Sequence, residues 1–461
     1  MTIGDGMAIR GGDVNRMSAR REASEKGVMA GLTWIGVLAT MVLPVLLPGG
    51  YWWGPLWLAL FGVFAALRRL WPADQPPREF GDRGWGLAIV LLLIALGLVI
   101  MAGVHDELLK VAPRVLAIGA VLLALVALHA WLPAISAFWG GVALGGMLTG
   151  AWSLWQRLEL GVSRASGHDP LHAILYGNIS LLTGMFCLAG VAWALSRPRR
   201  PLWLLVLLAG AIGGVMASVL SGTRGGWIAM PLILLVFQRG FISRLSGGLQ
   251  VSLWLAIAAL MAGLYLVPQT GVQQRISQAV NEVTHYLEGE PTETVSVSTR
   301  LEMWRGTGRL ILEAPLLGHG AGTYHSRMVA MAESGELAET VASHRHAHND
   351  LLDAWVKYGV PGVGMLITLY ALPFWLFRSG LSHSDPGHRA LAVSGLLLPV
   401  AFIDFGLTYS FMAYAVGVML YGVWLVVIWT FYRHAPIRSG ARSRDKTPPD
   451  ADAETAVPAA E

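Results

Sequence analysis

Residues 84–103 read GWGLAIVLLLIALGLVIMAG, with no charged or strongly polar side chain in the stretch. Wound as a helix rising 1.5 Å per residue, such a run is about 30 Å long, the thickness of a bilayer's hydrocarbon core. Backbone amides in that layer meet no water, so a helix that bonds them internally is the spanning form this run can take. Comparable runs fall at 29–47, 51–67, 115–131, 134–155, 171–195, 201–220, 225–238, 248–267, 355–377, 389–408 and 413–432. The fold predicted is an all-α polytopic membrane protein with about 12 transmembrane helices. Composition agrees: 54% of the 461 residues are hydrophobic and 13% charged, against about 25% charged in soluble chains.

The formal net charge is +4, but the basic residues are spread between apolar runs rather than gathered into a patch. Their placement follows membrane topology and implies no nucleic-acid partner. Arg10 to Lys26, Arg68 to Arg83, Arg197 to Arg200, Arg239, Arg244, Arg378, Arg389 and Arg433 to Lys446 flank alternate short loops. The positive-inside rule therefore assigns both termini to the cytoplasm. The N-terminal segment, residues 1–28, is polar and basic, and no cleavable signal peptide is evident. Residues 433–461 are rich in Pro, Ala and charge and are expected to form a disordered cytoplasmic tail. The single Cys187 lies in an apolar run, where it is expected to act as a small buried hydrophobe.

Residues 29–267 thus hold helices 1–9 and residues 350–432 helices 10–12, with residues 268–349 between them as a domain on the opposite, non-cytoplasmic side, the periplasmic domain of the topology implied below. A structureless loop of that length would be unusual. Two helices are predicted in it, near Gln273–Leu287 and Ser298–Glu313, the second placing Leu301, Trp304, Gly308 and Leu312 at helical spacing. Pro315 should end that helix, and GHGAGTYH supplies a Gly-rich turn. The same side carries Arg224, Arg275, Arg300, Arg345 and Lys357 among other cations, against the topological bias. An anionic ligand held at the outer membrane surface would account for them.

Residues 344–362, HRHAHNDLLDAWVKYGVPG, carry the chemistry. His348 precedes a helix whose dipole disfavours the imidazolium, leaving a neutral ring able to accept a proton near pH 7. Asn349 can cap that helix, and Asp350 and Asp353 could orient the ring. Gly359 and Gly362 permit close packing, with Pro361 as a kink. Arg224 lies in SGTRGGW, between glycines that let a ligand approach the backbone. Asp404 is an ionisable residue deep in an apolar run, either a functional group that orients a histidine or pairs with an arginine, or a polar contact that packs helices. His344, His346 and His348 would share one face of a strand, and His319 or His325 could complete a metal site. No cysteine or HExxH pattern accompanies them, so metal is the lesser reading, and the roles of His344 and His346 stay open.

Arg224, Arg300 and the spacing His348-Asn349, nine residues, Gly359-x-x-Gly362 make the chain resemble the bacterial O-antigen ligase family. That family shares its ligase/polymerase domain with O-antigen polymerases and pilin O-oligosaccharyltransferases. The resemblance spans roughly residues 170–375. It implies a metal-independent, inverting glycosyltransferase with no cofactor. The implied donor is undecaprenyl-pyrophosphate-linked O-antigen and the acceptor a sugar hydroxyl of lipid A–core, in lipopolysaccharide biosynthesis. The implied location is the periplasmic face of the Gram-negative inner membrane, among membrane lipids. His348 would be the general base, and Arg224 and Arg300 would bind the pyrophosphate. Arg275, Arg345 and Lys357 are further candidate donor contacts, and Asn349, Asp350, Asp404, Gly359 and Gly362 candidate supports. An O-antigen polymerase or a protein O-oligosaccharyltransferase would use the same donor. A transporter is the alternative from another class.

Overall fold

The computed structural model describes residues 11–70, 82–223, 225–266, 272–288 and 296–434. Arg224, residues 1–10 and residues 435–461 lie outside the described residues, so the expected disordered tail falls almost wholly beyond them. The described residues form helices joined by loops, with no strand among them. In order the helices are α1 Gly11–Leu46, α2 Gly50–Leu70, α3 Asp82–Val104, α4 Leu108–Ala130, α5 Ser136–Leu158, α6 Ala173–Ala194, α7 Arg200–Leu220, α8 Met230–Gly240 and α9 Gly247–Leu266. They continue with α10 Val272–Glu288, α11 Ser296–Glu313, α12 Ala321–Glu333, α13 Asp350–Phe377, α14 Pro386–Thr408 and α15 Ala415–His434.

Ten of the described helices are long and apolar enough to cross a membrane. All ten coincide with runs read from the sequence. The other two runs also form helices, but α5 is diluted by Gly and Trp, and the apolar part of α9 is the shorter stretch Gly247–Gly263. The bundle is built around α6, α14 and α15, which are largely enclosed by the others. Its outside stays apolar: α3 exposes Ile89, Leu92, Leu93 and Leu96. A soluble protein would not leave such a stripe open, whereas hydrocarbon solvates it at no cost.

Glycine explains why α5 belongs to the bundle despite its composition. A Cβ on Gly146 would fall 2.2 Å from the Gly210 carbonyl of α7, and one on Gly150 2.5 Å from the Gly213 Cα. The two backbones touch through small residues spaced along one face, the packing that drives helix association where water cannot. Cys187 is fully buried and its thiol donates to the Val142 carbonyl at 3.3 Å.

Helices α10 to α12 fill the segment between α9 and α13. The two predicted helices are present within a residue or two of their expected ends, and α12 adds a third. The buried face of α11 is Met303, Gly306, Thr307, Leu310 and Ile311, whereas Leu312 is 82% exposed. The spacing Leu301, Trp304, Gly308, Leu312 therefore does not mark the packed face, because α11 rests on Tyr324 and Met328 of α12 and on Leu337. This small core continues through Val341 and Ala347 to Val356 of α13, so the segment is seated on the bundle's end.

Helix α13 is interrupted at Gly359 (φ 61°, ψ −152°), two residues before Pro361, where the kink is expected. The segment after Pro315 crosses the break: the amides of His319, Gly320 and Val360 bond to the carbonyls of Val356, Lys357 and Leu316 at 2.8, 2.9 and 3.1 Å. A Cβ at Gly359 would lie 2.1 Å from the Leu316 oxygen, and one at Gly318 2.6 Å from the Lys357 carbonyl carbon. Both glycines also have positive φ, so both the backbone conformation and the space require them.

Candidate active site

The site lies where four loops converge at one end of the bundle, residues 159–172, 221–229, 344–349 and 409–414, with helix α11 beside them. The first two are stitched together by the amide of Ala165 bonding to Leu220 O at 3.0 Å and by Arg164 Nε donating to Ser221 O at 2.9 Å. Thr223, the residue before Arg224, donates its hydroxyl to Ala173 O at 2.8 Å, which fixes the turn to the first residue of α6. The residue after it, Gly225, presses on Thr408 of α14, where a Cβ would meet the hydroxyl at 2.1 Å.

His348 occupies the centre. Its backbone is left-handed, φ 50°, which is unusual for a residue with a side chain and costs on the order of 1–3 kcal/mol unless its surroundings hold it there. They do so from both sides. The Ala347 N–H donates to Asp353 Oδ1 at 3.0 Å, and the Ala347 carbonyl accepts from Trp304 Nε1 at 3.0 Å. Asn349 then caps α13 as expected, its Oδ1 accepting from the amides of Leu351 and Leu352, both at 3.0 Å. Trp304 stands one helical turn beyond Arg300 on α11, so the bond to Ala347 also sets the register between Arg300 and the histidine.

The His348 ring stands 5.0 Å from His344 edge-on and 5.2 Å from Tyr409. Neither ring nitrogen has a hydrogen-bond partner among the described residues, and neither is sealed from solvent. Burial, with the neighbouring His344 and the Arg300 guanidinium, holds its pKa down at about 4. The sequence argument gave the direction but a different cause, the helix dipole. Here desolvation and nearby cations lead.

Around this ring the other expected residues divide. Arg300 is half-buried and close enough for its charge to act on His348. Arg345 is exposed and acts on Tyr414. Arg275 lies on α10. Lys357 is 3% exposed and forms an ion pair with Asp353 at 2.7 Å, so its charge is balanced inside the protein. It also donates to His346 Nδ1 at 2.7 Å. Asp353 therefore organises His346 and the Ala347 amide rather than His348 directly. Asp350 spends its oxygens on the Met412 amide at 2.8 Å and the Tyr370 hydroxyl at 3.2 Å, anchoring the 409–414 loop rather than an imidazole. Gly362 packs beneath, a Cβ there lying 2.4 Å from Ala354 O.

Asp404 is fully buried in α14 near the Ala229 amide, with no well-formed hydrogen bond among the described residues. Asn178 and Thr408, under the glycines that follow Arg224, have buried polar atoms in the same condition. The histidines do not gather around a common point. His344 spends Nδ1 on Thr340 O at 3.0 Å, His319 bonds Leu310 O at 2.7 Å, and His346 turns to Lys357. Among the described residues no group of three His, Cys, Asp or Glu side chains is arranged to hold a metal ion.

Sequence reasoning missed the aromatic wall and one histidine. Tyr409 stacks on Tyr414 (5.7 Å, 10°), and its hydroxyl is 2.9 Å from Nε2 of His172, the residue preceding α6. Burial and the adjacent Arg164 lower the His172 pKa. Tyr409 and Tyr414 stand some sixty residues from the histidine motif in sequence, and no local pattern ties the two together. The one available signal was the DFGLTYSFMAY stretch breaking two apolar runs.

Fold and site together define a multi-pass membrane protein with an unengaged imidazole set among cations and tyrosines at one end of its bundle. Residues 209–367 match the family model described as O-antigen ligase. The match takes in Arg224, Arg300 and His348, while His172, Asp404, Tyr409 and Tyr414 lie outside it. The chain is also 28% identical over 278 residues to an uncharacterized protein of Haemophilus influenzae, spanning 60% of this chain and 68% of the relative.

Proposed function

We propose that the protein is an O-antigen ligase of a Gram-negative inner membrane, with the His348 end of the bundle in the periplasm and both termini in the cytoplasm. In this topology residues 29–267 and 350–432 hold the membrane helices, and residues 268–349 the periplasmic domain. The enzyme moves a polysaccharide from undecaprenyl pyrophosphate to a sugar hydroxyl of lipid A–core. The observation that carries this reading is a half-buried imidazole with both nitrogens unengaged, its pKa held down by burial and by the Arg300 guanidinium near it. A hydroxyl nucleophile needs a base that is unprotonated at working pH. A departing pyrophosphate needs cations where its charge develops.

His348 takes the proton of the acceptor hydroxyl as its oxygen attacks the anomeric carbon of the donor. The bond from that carbon to the pyrophosphate oxygen breaks, and the leaving oxyanion is met by Arg300 and Arg224. Attack opposite the leaving group inverts the anomeric centre. The arginines supply the charge stabilisation, and no metal takes part.

Reconstitution tests this directly. Purified protein in liposomes is given undecaprenyl-pyrophosphate glycan with either lipid A–core or a second donor molecule as acceptor. Transfer to lipid A–core, unaffected by EDTA, is expected. Elongation without lipid A–core would assign a polymerase, and EDTA inactivation reversed by Zn²⁺ would overturn the metal-free mechanism.

A further inference from the structure

His346 stands two residues before His348 and is linked to it through the rings of Tyr414 and Tyr409, and it is held in a defined state by buried chemistry. His346 Nδ1 lies 2.7 Å from Lys357 Nζ. A lysine ammonium has no lone pair, so it donates and the imidazole nitrogen accepts. The ring proton is therefore on Nε2. Lys357 is in turn fixed by Asp353, at 2.7 and 2.8 Å to its two oxygens, and both residues are almost wholly buried. Nε2 has no protein partner among the described residues and is not sealed off, the side chain being 20% exposed. The arrangement thus presents one outward N–H from a rigid mount.

The ring beside it is Tyr414, 4.6 Å away. Tyr414 is half-buried and continues through Tyr409 to His348, and the exposed Arg345 is near enough to act on its phenol. An aromatic face receives the C–H face of a pyranose, because the ring's electron-rich face attracts polarised hydrogens. A fixed N–H beside that face bonds a hydroxyl of the same sugar.

We propose that His346 and Tyr414 form the acceptor-sugar subsite, in which Tyr414 stacks on the pyranose and His346 Nε2–H bonds one of its hydroxyls. A different hydroxyl of that sugar is then presented to His348. Asp353 and Lys357 are positioning residues that act through His346. The subsite rests on the ligase reading for the identity of the sugar, but its chemistry is that of any pyranose acceptor.

Two measurements test it. In the transfer assay, KM for acceptor is measured at saturating donor and KM for donor at saturating acceptor. His346→Ala is expected to raise the acceptor KM about tenfold, and Tyr414→Leu likewise, each leaving the donor KM within about twofold. His346→Gln, whose amide N–H reaches the Nε2 position, and Tyr414→Phe, which keeps the ring, are expected to restore most of the affinity. Unchanged melting temperatures in all four variants separate this from misfolding.

Direct binding of a delipidated lipid A–core oligosaccharide to the same variants, without turnover, gives the second readout. Weaker binding in His346→Ala and Tyr414→Leu supports the subsite even if the transfer assay assigns another reaction. Equal binding by all variants, a rise in donor KM instead, or no recovery in His346→Gln would overturn it.

Discussion

The outer helices α11 and α12 carry Arg305, Arg309 and Arg327, while Arg300, also on α11, and Arg345 adjoin the histidine loop, and the two sets of arginines are used differently. On the outer helices Arg305 pairs with Glu302 at 3.0 Å, Arg309 pairs with Glu336 at 3.0 Å, and Arg327 pairs with Glu313. Around the loop at residues 344–349, Arg300 acts on His348 and Arg345 on Tyr414, the two aromatic rings that flank the pocket. A count of cations on one side of the chain cannot distinguish these groups. What a cation faces does: a carboxylate on its own surface makes a fastener, and a neutral base in a half-buried pocket makes an electrostatic tool.

The largest expected effect falls on the pocket. His348→Ala should lower kcat in the transfer assay by roughly 10²–10⁴-fold with donor binding retained. Activity near that of the unaltered protein would remove His348 as the base. Arg300→Ala should cost roughly 10²–10³-fold in kcat. If instead Arg300→Ala and Arg309→Ala behaved alike, the distinction between the two regions would fail.

The buried Asp353–Lys357 pair sharpens the contrast, since here a charge is balanced in order to hold something else. Asp353→Asn leaves the Lys357 ammonium buried without its counter-ion, a loss of about 3–5 kcal/mol, read as a lower melting temperature. Asp353→Asn combined with Lys357→Met removes both charges and should recover much of that stability. It should not recover acceptor affinity, because His346 then has no donor to fix its tautomer. The smallest effect belongs to the surface: Arg309→Ala should leave kcat within about twofold and stability within roughly 0.5 kcal/mol.

The helices were legible in the sequence because hydropathy over some 20 residues is a local signal, and the end of α11 before Pro315 and a kink near Pro361 because backbone chemistry is local too, although the break falls at Gly359. The capping role of Asn349 was readable for the same reason. The inward face of α11 was not, since its partners come from α12 and from Leu337 rather than from a bilayer or a single core. In the site, His348 and Arg300 were named from spacing and resemblance. The joining of Trp304 to Ala347, of Tyr409 to His172 and of Asp350 to Met412 depends on contacts across 43, 237 and 62 residues, which no local pattern encodes. Lys357 illustrates the limit: an Asp and a Lys four apart on an apolar helix form a readable pair, but in the sequence Lys357 stood as one more outward cation.

The central claim is that His348 is a base kept neutral by its burial and by the cations around it. The acid limb of kcat/KM for transfer tests it most directly, since that limb reports the free enzyme's base. With the pKa held at about 4, the imidazole stays unprotonated as pH falls from 7. Activity should therefore persist well below pH 6 and fall away with a midpoint near 4. In Arg300→Gln, which removes one of the depressing charges, the midpoint should move upward toward the ordinary histidine value. A midpoint near 6.5 in the unaltered protein, or one that Arg300→Gln does not move, would contradict the account.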